Sequence, residues 1–153
     1  MKSYFDTSAL VAVYVNEAHS ALARREARAA GQVPLTPLHH LELGNALRLL
    51  RGRRLIDDRQ LEQVSGHIME DCNAGRLVDT PVDLYRMFEH ARELSTTYTV
   101  RFLCRSLDIL HVASALELGC SRLISGDERQ LALAKALGNE IIDIRGPRRR
   151  RRR

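Results

Sequence analysis

The stretch 105-RSLDILHVASALELGCSRLISGDERQLALA-134 decides how the rest of this chain is read. Ile109, Val112, Ala113 and Leu116 recur at helical spacing behind Asp108, and Gly119 stops them. Residues 121–125 then read as a short strand, and Glu128 to Leu137 as a second helix closed by Gly138. A strand held between two helices is the repeating unit of a parallel sheet.

The pattern continues outward in both directions. Residues 2–6 read as a strand, and Ser8 to Ala30 as helix in two pieces, broken at Asn16-Glu17 and ended by Gly31. Residues 33–35 form a second strand. Thr36 and Pro37 then supply an N-cap and a proline at the first helical position, opening a helix to Gly52 with Leu38, Leu41, Ala46, Leu49 and Leu50 in register. A helix from Asp57 or Asp58 to Asn73 follows, with a strand at Leu77-Val78 and a helix over 82–95. Segment 96–107 reads as a loop or short helix, and residues 141–144 as the last strand. The expected fold is α/β, with a short parallel sheet covered on both faces.

Composition bounds the function classes. With 153 residues, 44% hydrophobic and 28% charged, the chain suits one soluble domain with a single substantial core. No apolar run approaches the roughly 18–20 residues of a membrane span, and no signal peptide precedes Asp6, so no membrane and a cytoplasmic location are expected. Cys72, Cys104 and Cys120 are odd in number and lack CxxC spacing, which argues for reduced thiols. The pI of about 9.6 misleads. Six of the 24 basic residues are the arginines at 148–153, leaving 18 against 19 acids in the body. The organisation expected is one domain over residues 1–145 and a disordered arginine-rich tail over 146–153.

The chemistry concentrates in four acids. In a parallel sheet, ligands sit beyond the carboxyl ends of the strands. Asp6 follows the first strand and Asp127 the 121–125 strand. Asp108 opens the helix leading into that same strand, and Glu42 lies in the first turns of the helix after strand two, with Asn45 one turn on. Crowded carboxylates raise one another's pKa and usually persist because a cation neutralises them. Hard oxygen ligands select Mg²⁺ or Mn²⁺, and the matching chemistry is metal-assisted attack of water on a phosphodiester. Each acid also has a plainer role. Asp6 and Asp108 make good N-caps, Glu42 a solvated helix residue, and Asp127 a turn residue. With Thr7 or Ser8 starting the first helix, Asp6 would be left free at the sheet edge.

The segments 4-YFDTSALV-11, 36-TPLHHLELGNALR-48 and 105-RSLDILHVASALELG-119 followed by 123-LISGDERQLALA-134 resemble the PIN-domain nucleases, most closely the VapC-type toxins of toxin–antitoxin pairs. The likeness spans nearly all of residues 1–144. It implies a three-layer α/β/α sandwich and a Mg²⁺- or Mn²⁺-dependent endoribonuclease acting on RNA. It also implies a homodimer and a cognate antitoxin that covers the active-site groove. By position, Asp6, Glu42, Asp108 and Asp127 match the family's acidic metal-binding residues. Thr7, Ser8 and Ser125 match the hydroxyl positions beside them, and Asn45 a polar position on its helix. Ser125-Gly126 departs from the Thr, often Thr-Asn, that the family commonly carries, and the arginine tail has no counterpart.

His39, His40 and His111 lack metal-site spacing, and His111 reads as a polar packing residue. Arg105 could contact substrate phosphate or pair with a carboxylate. The Leu/Ala stripe at 38–50 reads as core, part of which, with the helix after Asp57, could form a groove for a partner. A phosphatase of the haloacid-dehalogenase type wants Asp-x-Asp after strand one, where this chain has Ser8. A receiver domain wants paired acids there, and no P-loop is present. A non-catalytic PIN-like binding module is the alternative from a different class.

Overall fold

The structure is a computed structural model and describes residues 2–146. In chain order it contains β1 (Ser3–Phe5), α1 (Thr7–Tyr14), α2 (Ser20–Ala30), β2 (Val33–Leu35), α3 (Pro37–Gly52), α4 (Asp58–Asn73) and β3 (Leu77–Asp79). Then come α5 (Leu84–Phe102), α6 (Ser106–Glu117), β4 (Arg122–Ser125), α7 (Glu128–Ala136) and β5 (Glu140–Asp143). The arginine run of the expected tail lies outside the described residues.

All strand pairs are parallel, as the alternation of strands and helices predicts. β4 lies between β1 and β5, with Phe5 opposite Ile124 and Ser125 opposite Asp143. β2 pairs with β3 as a separate ribbon, Leu35 opposite Asp79. β2 also runs beside β1, but no ladder joins them among the described residues. The buried side chain of His39 spans that gap. Its Nδ1 accepts the Thr36 N–H at 3.0 Å, so Nε2 carries the proton and donates to the Phe5 carbonyl at 2.7 Å. Burial, then the nearby charge of His111, pushes the His39 pKa down to about 3. The ring is therefore a neutral crosslink.

Side chains alternate across a strand, and here the alternation separates two cores. Tyr4 and Leu123 face one side, packed with Ala91 and Leu94 of α5, Ile109, Val112 and Ala113 of α6, and Leu131 and Leu133 of α7. Phe5 and Ile124 face the other, with Leu10 of α1, Ala23 of α2 and Leu43 of α3. This is the helix-covered sheet the sequence implies. The α3 register expected from sequence is corrected: Leu41 and Leu49 are exposed and Leu38, Ala46 and Leu50 half-buried, while Leu43 and Leu47, on the neighbouring face, are the buried residues.

Two element boundaries differ from the sequence reading. α5 does not end near residue 95 but continues to Phe102. Ser, Thr and Val are weak helix formers, yet the Thr96 and Thr97 hydroxyls bond back to the carbonyls of Arg92 and Glu93. Tyr98 and Phe102 also pack on the core, so tertiary contacts override propensity. α6 begins at Ser106, so Asp108 is not its N-cap but sits in its first turn, accepting the Arg105 N–H at 2.8 Å.

Candidate active site

The carboxyl ends of β1 and β4 set the site. Asp6 N–H donates to the Ile124 carbonyl at 3.0 Å, continuing the ladder one residue past β1. Asp6 therefore emerges beside Ser125. Its carboxylate is not free, as the sequence reading had it. Asp6 itself caps α1, its Oδ1 accepting the Ala9 N–H at 2.8 Å. Ser8 lies behind it, its hydroxyl donating to Oδ1 at 2.8 Å, and the Ser125 hydroxyl donates to Oδ2 at 2.6 Å. A β-strand followed directly by a helix leaves one residue for both tasks, and the acid takes the cap because it accepts several bonds at once.

The same two hydroxyls also accept bonds from the loop after β4. Gly126 N–H donates to Ser8 Oγ at 2.9 Å, and Asp127 N–H to Ser125 Oγ at 2.8 Å. The Ser125-Gly126-Asp127 turn is thus tied to Asp6 through two relays. Gly126 fits this closeness, since a Cβ there would lie 3.2 Å from Ser8 Oγ. Asp127 caps α7 and accepts from the Arg129 N–H at 2.8 Å.

Burial raises the Asp6 pKa above the ordinary carboxylate range, against the opposing pull of His111, Ser125, Ala9 and Ser8. Glu42 is held differently. Its Oε2 accepts the Thr7 hydroxyl at 2.8 Å and a short hydrogen bond from His111 Nε2. Behind His111, the Tyr4 hydroxyl sits 2.9 Å from Nδ1. Nε2 carries the proton that His111 donates to Glu42, and Nδ1 pairs with the Tyr4 hydroxyl. Burial pulls the Glu42 carboxyl up, but the bonds and charge of His111 and the bond from Thr7 outweigh it, so the pKa falls.

Asp108 and Asp127 share one cation, Arg129. Its Nε lies 3.5 Å from Asp108 Oδ2, and its Nη2 lies 3.2 Å from Asp127 Oδ2. Burial again works upward on Asp127, and the Arg129 contacts more than reverse it, leaving that pKa low. Arg105 is more exposed, its Nε 3.8 Å from Asp108 Oδ2.

The structure thus links Asp6 with Ser8, Ser125 and the Asp127 turn, Glu42 with Thr7, and Asp108 with Asp127 through Arg129. Asn45 is exposed on α3, and none of these links among the described residues includes it. His111 and Arg129 contact these acids, whereas the sequence reading took His111 as a packing residue and did not single out Arg129. The signal for His111 was its place one turn after Asp108 on the same face; for Arg129 it was a basic residue two positions after a strand-end acid.

A hard divalent cation matches the chemistry of this donor set: carboxylate and hydroxyl oxygens, with Asp6 buried where its charge is disfavoured. Among the described residues no three His, Cys, Asp or Glu side chains are gathered tightly enough to form a ligand cluster, because each acid is drawn to a partner within the chain. The donors fit the ion, and side-chain rotation would be needed to bring them together.

Comparison with known proteins agrees with the geometry. The PIN domain family pattern matches residues 3–136, and the chain belongs to that family. PIN domains are in general metal-dependent nucleases. The crystal structure of PAE2754 from Pyrobaculum aerophilum is similar in fold, with 20% identity and a TM-score of 0.57 over 94% of this chain and 85% of that one. No curated protein matches the chain significantly. No helix among the described residues is long and apolar enough to cross a membrane.

Proposed function

We propose that this protein is a Mg²⁺- or Mn²⁺-dependent endoribonuclease and the toxin of a type II toxin–antitoxin pair. The observation that carries the reading is the tie between Asp6 and the Asp127 turn through Ser8 and Ser125, which supports two acids from distant segments acting at one sheet edge. Asp6, Glu42, Asp108 and Asp127 would hold the ion. When bound, such an ion supplies a water of lowered pKa and offsets charge on the phosphodiester. Thr7 orients Glu42 from one side and His111 from the other, while Ser125 and Ser8 fix the direction of the Asp6 lone pairs. Arg105, exposed at the rim, suits a phosphate contact.

An antitoxin partner is supported by the apolar cavities on the α4 side. One of about 330 Å³ between α3 and α4 is lined by Leu43, Leu47, Ile68 and Met69. A larger one of about 600 Å³ lies among α1, α2 and α4, lined by Leu10, Val13, Ala27 and Leu77. A homodimer is part of the same proposal, in keeping with the exposed Tyr85, Phe88 and Val100 of α5.

The test is cleavage of a structured RNA with and without Mg²⁺. Cleavage is expected to stop in excess EDTA and in Asp6→Asn and Asp108→Asn, each folded by circular dichroism. Undiminished cleavage in EDTA would overturn the mechanism. The competing reading, a non-catalytic binding module, is favoured by the internal pairing of every acid, and it predicts no Mg²⁺-linked rise in Tm.

A further inference from the structure

Arg129 is the cation that Asp108 and Asp127 have in common, and its position conflicts with the metal those acids are proposed to bind. The guanidinium bridges them at 3.2–3.5 Å, looser than the roughly 2.7–2.9 Å of a tight charge-assisted bond. Magnesium wants oxygens at about 2.0–2.1 Å. An ion held by these two carboxylates would compete with the guanidinium for their oxygens. Arginine cannot yield by losing its proton. It can yield only by moving.

Its surroundings allow that. The Arg129 side chain is 34% exposed, against 10% for Asp108 and 24% for Asp127, so the guanidinium covers the acids from the solvent side. Its backbone is pinned, the N–H by Asp127 and the carbonyl by the Cys104 thiol. Displacement therefore swings the side chain alone about a fixed base, towards the rim where Arg105 is exposed.

We propose that Arg129 is a displaceable internal counter-ion. Without metal it offsets part of the charge of Asp108 and Asp127; with metal present it is driven to the rim, where beside Arg105 it contacts the RNA phosphate. This rests on the metal-site reading above. It makes metal affinity a competition between an ion and a residue of the chain, so removing the residue tightens metal binding.

The test is calorimetric titration of the full chain with MnCl₂ at fixed pH and ionic strength, comparing wild type, Arg129→Gln, Arg129→Lys and Asp6→Asn. Arg129→Gln is expected to bind Mn²⁺ about 3- to 10-fold tighter than wild type, the range two partly exposed ion pairs can supply. Arg129→Lys, whose compact charge cannot bridge two acids as a fork, is expected to fall between them, and it carries the test should the Gln variant not fold. Metal-free Tm should drop in Arg129→Gln, and the gap should close at saturating Mn²⁺. If wild type binds Mn²⁺, Asp6→Asn does not, and Arg129→Gln binds no tighter, the counter-ion proposal falls while the metal site stands. If neither wild type nor Arg129→Gln binds Mn²⁺, both fall.

Discussion

Asp6 and Asp127 sit at the ends of neighbouring elements, yet one is sealed in by neutral donors while the other is clasped by a guanidinium near the surface. Around Asp6, two hydroxyls and a backbone N–H fill the lone pairs, and the carboxylate is 2% exposed. Around Asp127, a backbone N–H fills one lone pair and the other partner is a long side chain near the surface. The first acid is part of the framework of the fold as well as a proposed metal ligand. The second also caps its helix through the Arg129 N–H, but its other partner is an exchangeable charge. A residue with two jobs cannot be removed without disturbing both, and that difference governs how each should be probed.

The largest effect is expected at Asp6. Asp6→Ala strands the Ala9 N–H and two hydroxyls, and should cost about 2–4 kcal/mol in urea unfolding. A simple loss of cleavage in that variant would therefore confuse misfolding with chemistry. Asp6→Asn keeps an acceptor and removes a buried charge that burial already disfavours, so its stability should stay within about 1 kcal/mol of wild type. Equal costs for the two variants would erase the contrast between the acids.

A second effect comes from the neutral ring under this half of the site. His39 has a folded pKa of about 3 against an ordinary value of 6.5. The unfolded chain therefore takes up the proton first, and its stabilising contribution is lost as pH falls from about 6.5 towards 3. The slope approaches about 1.4 kcal/mol per pH unit inside that window. The raised pKa of Asp6 acts in the opposite sense, since protonation there favours the folded state. Urea midpoints for wild type and His39→Gln across that range isolate the histidine term: the variant curve should be flatter, and parallel curves would remove His39 from the account.

The smallest effect is expected at Asp127. Its carboxylate keeps partial contact with water and its guanidinium partner is one-third exposed. Asp127→Asn should lower stability by only about 0.5–1 kcal/mol. A loss as large as that of Asp6→Ala would show that both acids are framework.

Much of this was legible in the chain itself. Strand, cap and helix signals around Thr36-Pro37 and Gly119 are local, and the structure follows them closely. Asp6 and Asp127 were placed at one edge because strand-end position in a parallel sheet is itself a local property. The end of α5 was not legible, because Thr96, Thr97 and Tyr98 read as poor helix until their hydroxyl bonds and packing are known. His111 and Arg129 escaped for a related reason. Nothing in the spacing of His111 announces that Tyr4 and Glu42, more than sixty residues away on either count, will meet its two ring nitrogens. Arg129 looks like any surface arginine until α6 brings Asp108 alongside. Which residue takes the helix cap was equally hidden, since Asp6, Thr7 and Ser8 are all competent.

The gap between β1 and β2 also bears on how the molecule opens. Where a ladder would bind the two strands through several backbone groups at once, one imidazole makes the connection between the Thr36 N–H and the Phe5 carbonyl. That is a seam with a single stitch, and structures tend to open along such lines in stages. Amides of β2, β3 and α4 should then exchange with solvent as one group, ahead of β4 and α6. Acid that protonates the stitch would release the flap of the molecule bearing the α3–α4 cavity first.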